Sequence, residues 1–301
     1  MNHKNLITYL FLLMLFTACI SCKNSTKQNQ TKALEKEQIN TCRADSVDIE
    51  VFKKIMQYAQ KEKLSEKTLP EVEMAIAQFF LITPYVPKTL EKKGTEHLVI
   101  NLRELDCTTF LENVVSLSSC IKNKTTDFES YCQTLIKFRY RNGKIDEYPS
   151  RLHYFTDWLL NNEKKQLISI VSNTFATDMF DPTVNYMSTH TKNYPQLKNE
   201  AFVKQIAERE KEISQAILTF VPEENIHDIE KHVQNGDLIA ITTTIEGLDI
   251  AHVGLAYFVN EHLHLFHASS TQKKVVVSEE TLQDYLKGIK KSNGIIVARL
   301  R

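Results

Sequence analysis

The sequence lacks three features that would each point to a class of protein. Its 37 basic residues are balanced by 37 acidic ones, so it has no positive surplus for binding nucleic acid. It has only six cysteines in 301 residues, which argues against a disulfide scaffold, and no CxxC pair follows residue 22, which argues against a cysteine zinc site. Its apolar run at residues 6–20 is too short to span a bilayer comfortably.

Residues 1–22 instead have the pattern of an export signal. Lys4 precedes the apolar run, and the run ends in FTACISC, where small residues come before a cysteine. This pattern is typical of a bacterial lipoprotein signal that is cut before Cys19 or Cys22, with that cysteine then carrying lipid. A plain secretory signal is the alternative.

The rest of the chain is predicted to form one domain behind a flexible tether. Residues 23–45 are rich in Lys, Asn, Gln and Thr and have few apolar residues, so they cannot bury enough surface to order themselves. The predicted domain covers residues 46–301, with a long insertion near 123–233.

Hydrophobic periodicity in this domain predicts helices first and strands afterwards. The predicted helices cover 47–64, 71–81, 126–140 and 202–218, with one early strand at 97–102. The later predicted strands cover 238–244, 251–259, 262–268, 274–277 and 294–300. This order is typical of an α+β domain in which closely spaced strands form an antiparallel sheet.

The stretch LDCTTFLENVVSL places Cys107 in the first turn of a further predicted helix. Asp106 can cap that helix, because its side-chain oxygen can accept from the unpaired amides of the first turn. The partial positive charge of a helix N-terminus favours a thiolate, which lowers the pKa of a cysteine and makes it a better nucleophile. The alternative is a small buried core residue, which is our interpretation of Cys120 and Cys132.

A cysteine nucleophile needs a base, and the late strands contain two suitable histidines. His252 and His267 fall on successive predicted strands, so antiparallel pairing can bring both imidazoles to one sheet face against the Cys107 helix. Strand alternation points His267 inward with apolar neighbours and points His262 and His264 to solvent. The alternative for His267 is a core histidine with satisfied hydrogen bonds.

Charged and aromatic residues cluster in the stretch RLHYFTDWLL, within the least regular part of the sequence. Arg151, His153, Tyr154 and Trp158 are predicted to contact substrate at a cleft edge, where aromatic faces stack on sugars and a guanidinium binds carboxylates. The alternative is that Trp158 belongs to the core and Arg151 is a solvated charge.

Five short motifs occur in an order that resembles a known group of enzymes. They are Pro84-Tyr85, Asp106-Cys107, Gly236-Asp237-Leu238, His252-Val253-Gly254 and His267-Ala268-Ser269. This order resembles the NlpC-type branch of papain-like cysteine peptidases, bacterial enzymes that act on cell-wall peptides. The longer stretches TPYVPKTLE, VINLRELDCTTFLENV, RLHYFTDW, NGDLIAITT and LDIAHVGLAY resemble the N-acetylmuramoyl-L-alanine amidase-like family found in Bacteroidetes.

The resemblance implies a papain-like fold and a set of catalytic roles. Cys107 would be the nucleophile, His252 the general base and then the general acid, and His267 the residue that orients His252. The Cys107 amide and the Tyr85 hydroxyl would stabilise the oxyanion, with Tyr85 and Asp106 close to the substrate. No metal or cofactor is expected for this chemistry.

The implied function is hydrolysis of the amide between N-acetylmuramic acid and L-alanine in peptidoglycan fragments. With the export signal, it implies an enzyme held by an N-terminal lipid anchor at the periplasmic face of the outer membrane, with muropeptides as partners. The alternatives are an endopeptidase that cuts γ-D-glutamyl to diamino-acid bonds in stem peptides, and a non-catalytic peptidoglycan-binding lipoprotein. The long segment between the Cys107 helix and Gly236 is expected to build the substrate cleft.

Overall fold

The helices and strands of the domain form where apolar residues recur at helical or strand spacing. The computed structural model describes residues 44–301. Its helices are α1 (Ser46–Lys61), α2 (Leu69–Phe79), α3 (Cys107–Lys122), α4 (Phe128–Arg139), α5 (Phe155–Lys164), α6 (Tyr186–Thr189), α7 (Glu200–Ser214) and α8 (Leu282–Lys287). Its strands are β1 (Ile168–Ser169), β2 (Asp178–Phe180), β3 (Leu218–Pro222), β4 (Leu238–Thr243), β5 (Ile250–Val259), β6 (His262–Ser269), β7 (Lys274–Val277) and β8 (Ser292–Leu300). The predicted α+β class is confirmed.

The strands form an antiparallel sheet in the order β2-β3-β8-β4-β5-β6-β7, and β1 pairs with β8. The neighbours β4, β5, β6 and β7 follow one another along the chain, as their close spacing predicts. Strand β5 carries one extra residue, Ala251, where its register with β4 shifts between Ile241 and Thr242. Ile250 and Val253 therefore both enter the main core although they are three positions apart.

Helix α3 packs on one face of this sheet and is buried along most of its length. The Phe110 ring lies against Phe266 of β6, with centroids 5.8 Å apart, and Phe80 contacts Phe110 at 6.4 Å. Full burial of a phenylalanine contributes on the order of 1.5–3 kcal/mol. This apolar layer therefore anchors the helix that begins at Cys107.

A second apolar cluster covers the opposite face of the sheet. Leu263 and Leu265 of β6 pack there with Leu282 and Leu286 of α8. A third, smaller cluster belongs to the segment between α4 and β3, and it consists of Tyr148, Tyr154, Val184, Met187, Leu197, Ile206 and Ile213. Residues 44–301 lie within one compact unit.

The predicted strand at 97–102 is wrong. This segment is largely buried but forms no strand, because side chains of other elements bond its backbone groups. Arg139 donates to the Val99 carbonyl at 2.6 Å, and the Leu102 N–H donates to Asp48 at 2.9 Å. Apolar alternation alone does not distinguish a strand from an extended segment whose partners are side chains.

Two further differences concern the late part of the chain. The sequence pattern does not predict β1, β2, β3 or α8, which are short and depend on distant partners such as β8. His264 is buried rather than exposed. Its Nδ1 bonds the Ser278 carbonyl at 3.0 Å, which satisfies the buried imidazole.

The features predicted for membrane attachment lie in the N-terminal part of the sequence. The predicted export signal, the lipidation at Cys19 or Cys22 and nearly all of the predicted tether lie outside the described residues. Within residues 44–301, no helix has the length and apolar character needed to cross a membrane.

Candidate active site

Cys107 is the first residue of α3, and Asp106 caps that helix as predicted. The Asp106 carboxylate accepts from the Thr109 N–H at 2.8 Å, and the Thr109 hydroxyl oxygen accepts from the Asp106 N–H at 2.9 Å. These bonds fix the turn into the helix. The Cys107 side chain is partly exposed and lines a cleft.

The Pro84-Tyr85 motif is held beside this helix start by backbone pairing. The Leu105 N–H donates to the Pro84 carbonyl at 3.0 Å, and the Val86 N–H donates to the Leu105 carbonyl at 3.1 Å. Two motifs some twenty residues apart in the sequence therefore meet at the same place because the chain between them folds back.

The cleft beside Cys107 has a volume of about 230 Å³. The start of β5 contributes His252 and Val253 to its wall, and the segment between α3 and Gly236 contributes His153, Tyr154 and Met187. The expectation that this long segment helps to build the cleft agrees with that lining.

His252 and His267 lie side by side on β5 and β6. His252 Nε2 and His267 Nδ1 are 2.6 Å apart, within hydrogen-bond distance, and the two rings are perpendicular. Gly254 provides the space for His267, because a Cβ at that position would lie 3.0 Å from the His267 Cβ and 2.8 Å from the Phe266 carbonyl oxygen. The glycine of the HVG motif is thus explained by packing.

The shared hydrogen bond determines how His252 can act. Two neutral imidazoles share one proton in such a bond, so either His252 Nε2 or His267 Nδ1 carries it. When His252 Nε2 carries the proton, His252 Nδ1 is an unprotonated base. His267 then accepts at Nδ1 and holds the His252 ring in position, as expected of an orienting residue.

The two imidazoles share one sheet face, as predicted, but α3 does not pack on that face. The His267 ring lies on the sheet face that α8 covers, where it meets the Tyr285 ring at 5.2 Å, whereas α3 packs on the Phe266 face. His252 follows the extra residue of β5 and lines both the Cys107 cleft and a larger cleft of about 480 Å³ beside α8. Only His252 of the pair therefore borders the cleft that contains Cys107.

The thiol and the His252 imidazole share this cleft but have other bonding partners in the structure. His252 bonds His267, while the Val253 backbone and Thr108 are the hydrogen-bond partners that favour the Cys107 thiolate. Catalytic hydrogen bonds often tighten only when a substrate is bound. The arrangement is therefore compatible with proton transfer from thiol to imidazole during attack.

Burial keeps the thiol and both imidazoles neutral. The pKa of Cys107 is raised to about 11, first by burial and then by the Asp106 carboxylate, and hydrogen bonds to Val253 and Thr108 offset only part of this. The pKa of His252 is lowered to about 4 by burial. The pKa shift is therefore opposite in direction to the predicted lowering, because desolvation and the Asp106 carboxylate outweigh the hydrogen bonds to Val253 and Thr108.

His267 is also neutral at ordinary pH. Burial, followed by the neighbouring His252, lowers its pKa to about 3. A second positive charge next to His252 is thus disfavoured, so the pair can accept at most one proton readily.

Two tyrosine hydroxyls lie close enough to Cys107 for its charge to affect them. The pKa of Tyr85 is raised to about 12, first by burial and then by Cys107 and Asp106. The pKa of Tyr285 is also raised to about 12, first by burial and then by Cys107. Both hydroxyls are therefore protonated donors at neutral pH. The sequence pattern does not single out Tyr285, because it does not predict α8.

Trp158 and Arg151 do not present free surfaces at a cleft edge. Trp158 is 0% exposed, and its Nε1 donates to Glu112 at 3.2 Å, so the predicted substrate contact is wrong and the core alternative is correct. Arg151 is buried, and its guanidinium binds Glu91 at 2.7 Å and the Leu90 carbonyl at 3.0 Å. It is thus neither a free ligand for substrate nor a solvated charge.

His153 and Tyr154 do line the Cys107 cleft. The Tyr154 hydroxyl donates to Glu210 at 2.6 Å and accepts from the Met187 N–H at 2.8 Å, so its polar group is already bonded. His153 Nε2 bonds the Tyr148 carbonyl at 2.9 Å, and burial lowers the pKa of His153 to about 3. His153 therefore offers a neutral imidazole edge to the cleft.

Comparisons with known proteins place this architecture in a family. A family model described as N-acetylmuramoyl-L-alanine amidase-like matches residues 75–295. The search of curated proteins gives no significant match.

Several solved structures are similar to this chain. An N-acetylmuramoyl-L-alanine amidase from Bacteroides uniformis is 38% identical, with a TM-score of 0.75 over 77% of this chain and 99% of its own. A Bacteroides fragilis protein described as a candidate xylanase is also 38% identical, with a TM-score of 0.72 over 75% of this chain and 99% of its own. A Legionella pneumophila protein at 20% identity shares the fold, with a TM-score of 0.62 over 89% of this chain and 96% of its own. Because the family model spans most of the sequence, the chain belongs to the N-acetylmuramoyl-L-alanine amidase-like family.

Proposed function

We propose that this protein is a cysteine-dependent amidase that hydrolyses the bond between N-acetylmuramic acid and L-alanine in peptidoglycan fragments. The observation that carries the proposal is that Cys107 and His252 border one cleft while His267 bonds the far nitrogen of His252. The Bacteroides uniformis relative is named for cleavage of this same bond. A nucleophile at a helix start and a base on the adjoining sheet also support a papain-like, NlpC-type arrangement.

Acylation begins with a neutral thiol and a neutral base. Cys107 Sγ attacks the lactyl amide carbonyl while His252 Nδ1 takes the thiol proton. In this proposal, the Cys107 backbone N–H and the Tyr85 hydroxyl donate to the oxygen that becomes negative. His252 then gives its proton to the amine of L-alanine, the carbon–nitrogen bond breaks, and a thioester with the lactyl group is left.

Deacylation repeats these steps with water. His252 Nδ1 takes a proton from a water molecule that attacks the thioester, and it returns that proton to the Cys107 sulfur as the thioester breaks. The products are the free lactyl carboxylate of the sugar and a peptide that begins with L-alanine. The hydrogen bond between His252 Nε2 and His267 Nδ1 holds the His252 ring in place in both half-reactions of this proposal.

The carboxylates of the cleft favour amide hydrolysis over the glycosidase activity suggested for the Bacteroides fragilis relative. Glycoside hydrolysis uses two carboxyl groups, one as acid and one as base or nucleophile. Here Glu91 is paired with Arg151, and buried Asp249 accepts from the Thr156 N–H at 2.8 Å. Both groups already have structural partners, whereas Cys107 and His252 have the chemistry of acyl transfer.

Mass spectrometry of defined muropeptides incubated with the protein tests the scissile bond. We expect release of an intact stem peptide from the sugar by the wild type and no release by the Cys107→Ala variant. Cleavage inside the stem peptide would instead identify an endopeptidase. Binding of muropeptides without any turnover would identify a non-catalytic peptidoglycan-binding protein.

Export with lipid anchoring at the periplasmic face of the outer membrane is a further part of the proposal, and it is supported by the sequence of residues 1–22. Labelling of cells with a radioactive fatty acid should mark the wild type and should be lost on Cys19→Ser or Cys22→Ser, whichever is the modified residue. Labelling that persists in the double variant would contradict lipidation at this signal.

The proposed base also predicts an unusual pH profile. Because the pKa of His252 is lowered to about 4 and that of Cys107 is raised to about 11, the pair is thiol and neutral imidazole between these values. We expect kcat/KM to rise with pH through the low pKa of His252 and to stay nearly constant from about pH 6 to pH 9. An acidic limb at the ordinary histidine value, about 6.5, would contradict this assignment of states.

A further inference from the structure

Three potential metal ligands meet at the end of β6 that is remote from His267. His262 begins β6, and His227 and Glu230 lie in the 3₁₀ segment His227–His232. One ligand atom from each residue can be chosen so that all three lie within 4.8 Å of one another. We call this set the His227–Glu230–His262 cluster.

The Glu230 carboxylate is already oriented toward the two imidazoles. One of its oxygens accepts from the Leu263 N–H at 2.9 Å, which leaves the other oxygen 3.3 Å from His227 Nδ1 and 3.9 Å from His262 Nδ1. The Glu230 side chain is 14% exposed, whereas the two imidazoles are open to solvent. Among residues 44–301, its ion-pair partners are these two histidines rather than a lysine or arginine.

We propose that this cluster binds one zinc ion. Two imidazole nitrogens and one carboxylate oxygen form a ligand set that zinc accepts, with a water molecule completing a tetrahedron. Zinc–ligand bonds of about 2.0–2.2 Å place tetrahedral ligand atoms roughly 3.4 Å apart. The distances of 3.3 Å and 3.9 Å from the Glu230 oxygen to the two Nδ1 atoms are close to this spacing. The exposed imidazoles have room to move to the spacing that zinc requires.

The hydrogen bond from the Leu263 N–H holds the Glu230 carboxylate in its orientation. Backbone or carboxylate partners that orient a metal ligand are a regular feature of metal sites. The ion would add a link between the 227–232 segment and the start of β6, which the hydrogen bond between Glu230 and the Leu263 N–H already connects. His262 and His267 are five positions apart on β6, about 17 Å along the strand, so this site is separate from the proposed amidase chemistry.

Zinc titration of the full-length protein, first freed of metal with a chelator, tests the proposal. The wild type and the His190→Ala control should bind one equivalent more tightly than Glu230→Gln, His227→Ala and His262→Ala, each of which should weaken that equivalent by roughly tenfold or more. His190 is an exposed histidine outside the cluster, and the cysteines are the same in all five proteins. Equal stoichiometry and affinity in all five would overturn the site.

Thermal unfolding with and without zinc tests the cluster even if zinc also binds elsewhere on the chain, because the zinc-induced change in Tm is compared among the variants. Because an ion that binds only the folded state stabilises it, zinc should raise the Tm of the wild type and of His190→Ala. The three cluster variants should fold and show a smaller rise. The same rise in all five proteins would contradict the assignment, even if zinc binds elsewhere on the chain.

Discussion

Replacing Cys107 with alanine is expected to lower kcat on a defined muropeptide by at least about 10⁴-fold, because loss of the nucleophile removes the acyl-enzyme route. The substitution removes one sulfur from a partly exposed position at the start of α3. The Asp106–Thr109 cap does not use that sulfur, so the helix should form normally. Initial rates of peptide release, with circular dichroism to verify folding, provide the measurement.

Cys120 supplies the matched control for this prediction. It lies on the same helix and is buried, and its thiol contacts Thr134 rather than the cleft. Cys120→Ala should therefore retain kcat to within a small factor while losing some stability. Comparable loss of activity in both variants, or full activity in Cys107→Ala, would be inconsistent with a nucleophilic Cys107.

Replacing Arg139 with methionine is expected to cost about 3–5 kcal/mol of the free energy of unfolding, because it leaves a buried carboxylate without its partner. Arg139 and Glu112 are almost completely buried, and they form an ion pair at 2.7 Å. Burial raises the pKa of Glu112 even with Arg139 present. Without Arg139, Glu112 must either remain charged in the core or take up a proton.

Urea unfolding followed by tryptophan fluorescence measures this loss directly. Trp158 is the single tryptophan of the sequence, and its Nε1 donates to Glu112, so its emission reports on this region. The double variant Arg139→Met with Glu112→Leu should recover part of the loss, since both charges are then absent. Exposed Lys53, paired with Glu50, is the control: Lys53→Met should leave the midpoint nearly unchanged. A similarly small shift for Arg139→Met would refute the argument.

Local signals allowed the elements of the site to be predicted, because each is built from neighbouring residues. The Asp106 cap lies next to Cys107, and the strand with His267 follows directly after the strand with His252. Short-range rules of capping and strand alternation were sufficient for these features. The roles of Cys107, His252 and His267 in catalysis stay predictions.

The errors share a different cause, which is dependence on contacts between distant parts of the chain. Trp158 and Arg151 were predicted to contact substrate because the sequence does not reveal their bonding partners. These partners, Glu112 and Glu91, lie far from them along the chain. The direction of the Cys107 pKa shift depends on desolvation by the assembled cleft rather than on the helix start alone. Burial of this kind is a tertiary property that residue spacing does not report.

The extra residue in β5 has a consequence for how this site can vary among related sequences. Ala251 is exposed and also lines the Cys107 cleft, so a larger side chain at this position would take up space beside His252. Deleting Ala251 would pair His252 with Ile241 and Ile250 with Thr242 without the bulge, and each side chain would keep its face of the sheet. Small residues should therefore be favoured at this position, and a one-residue deletion should straighten the start of β5 while His252 keeps its face of the sheet.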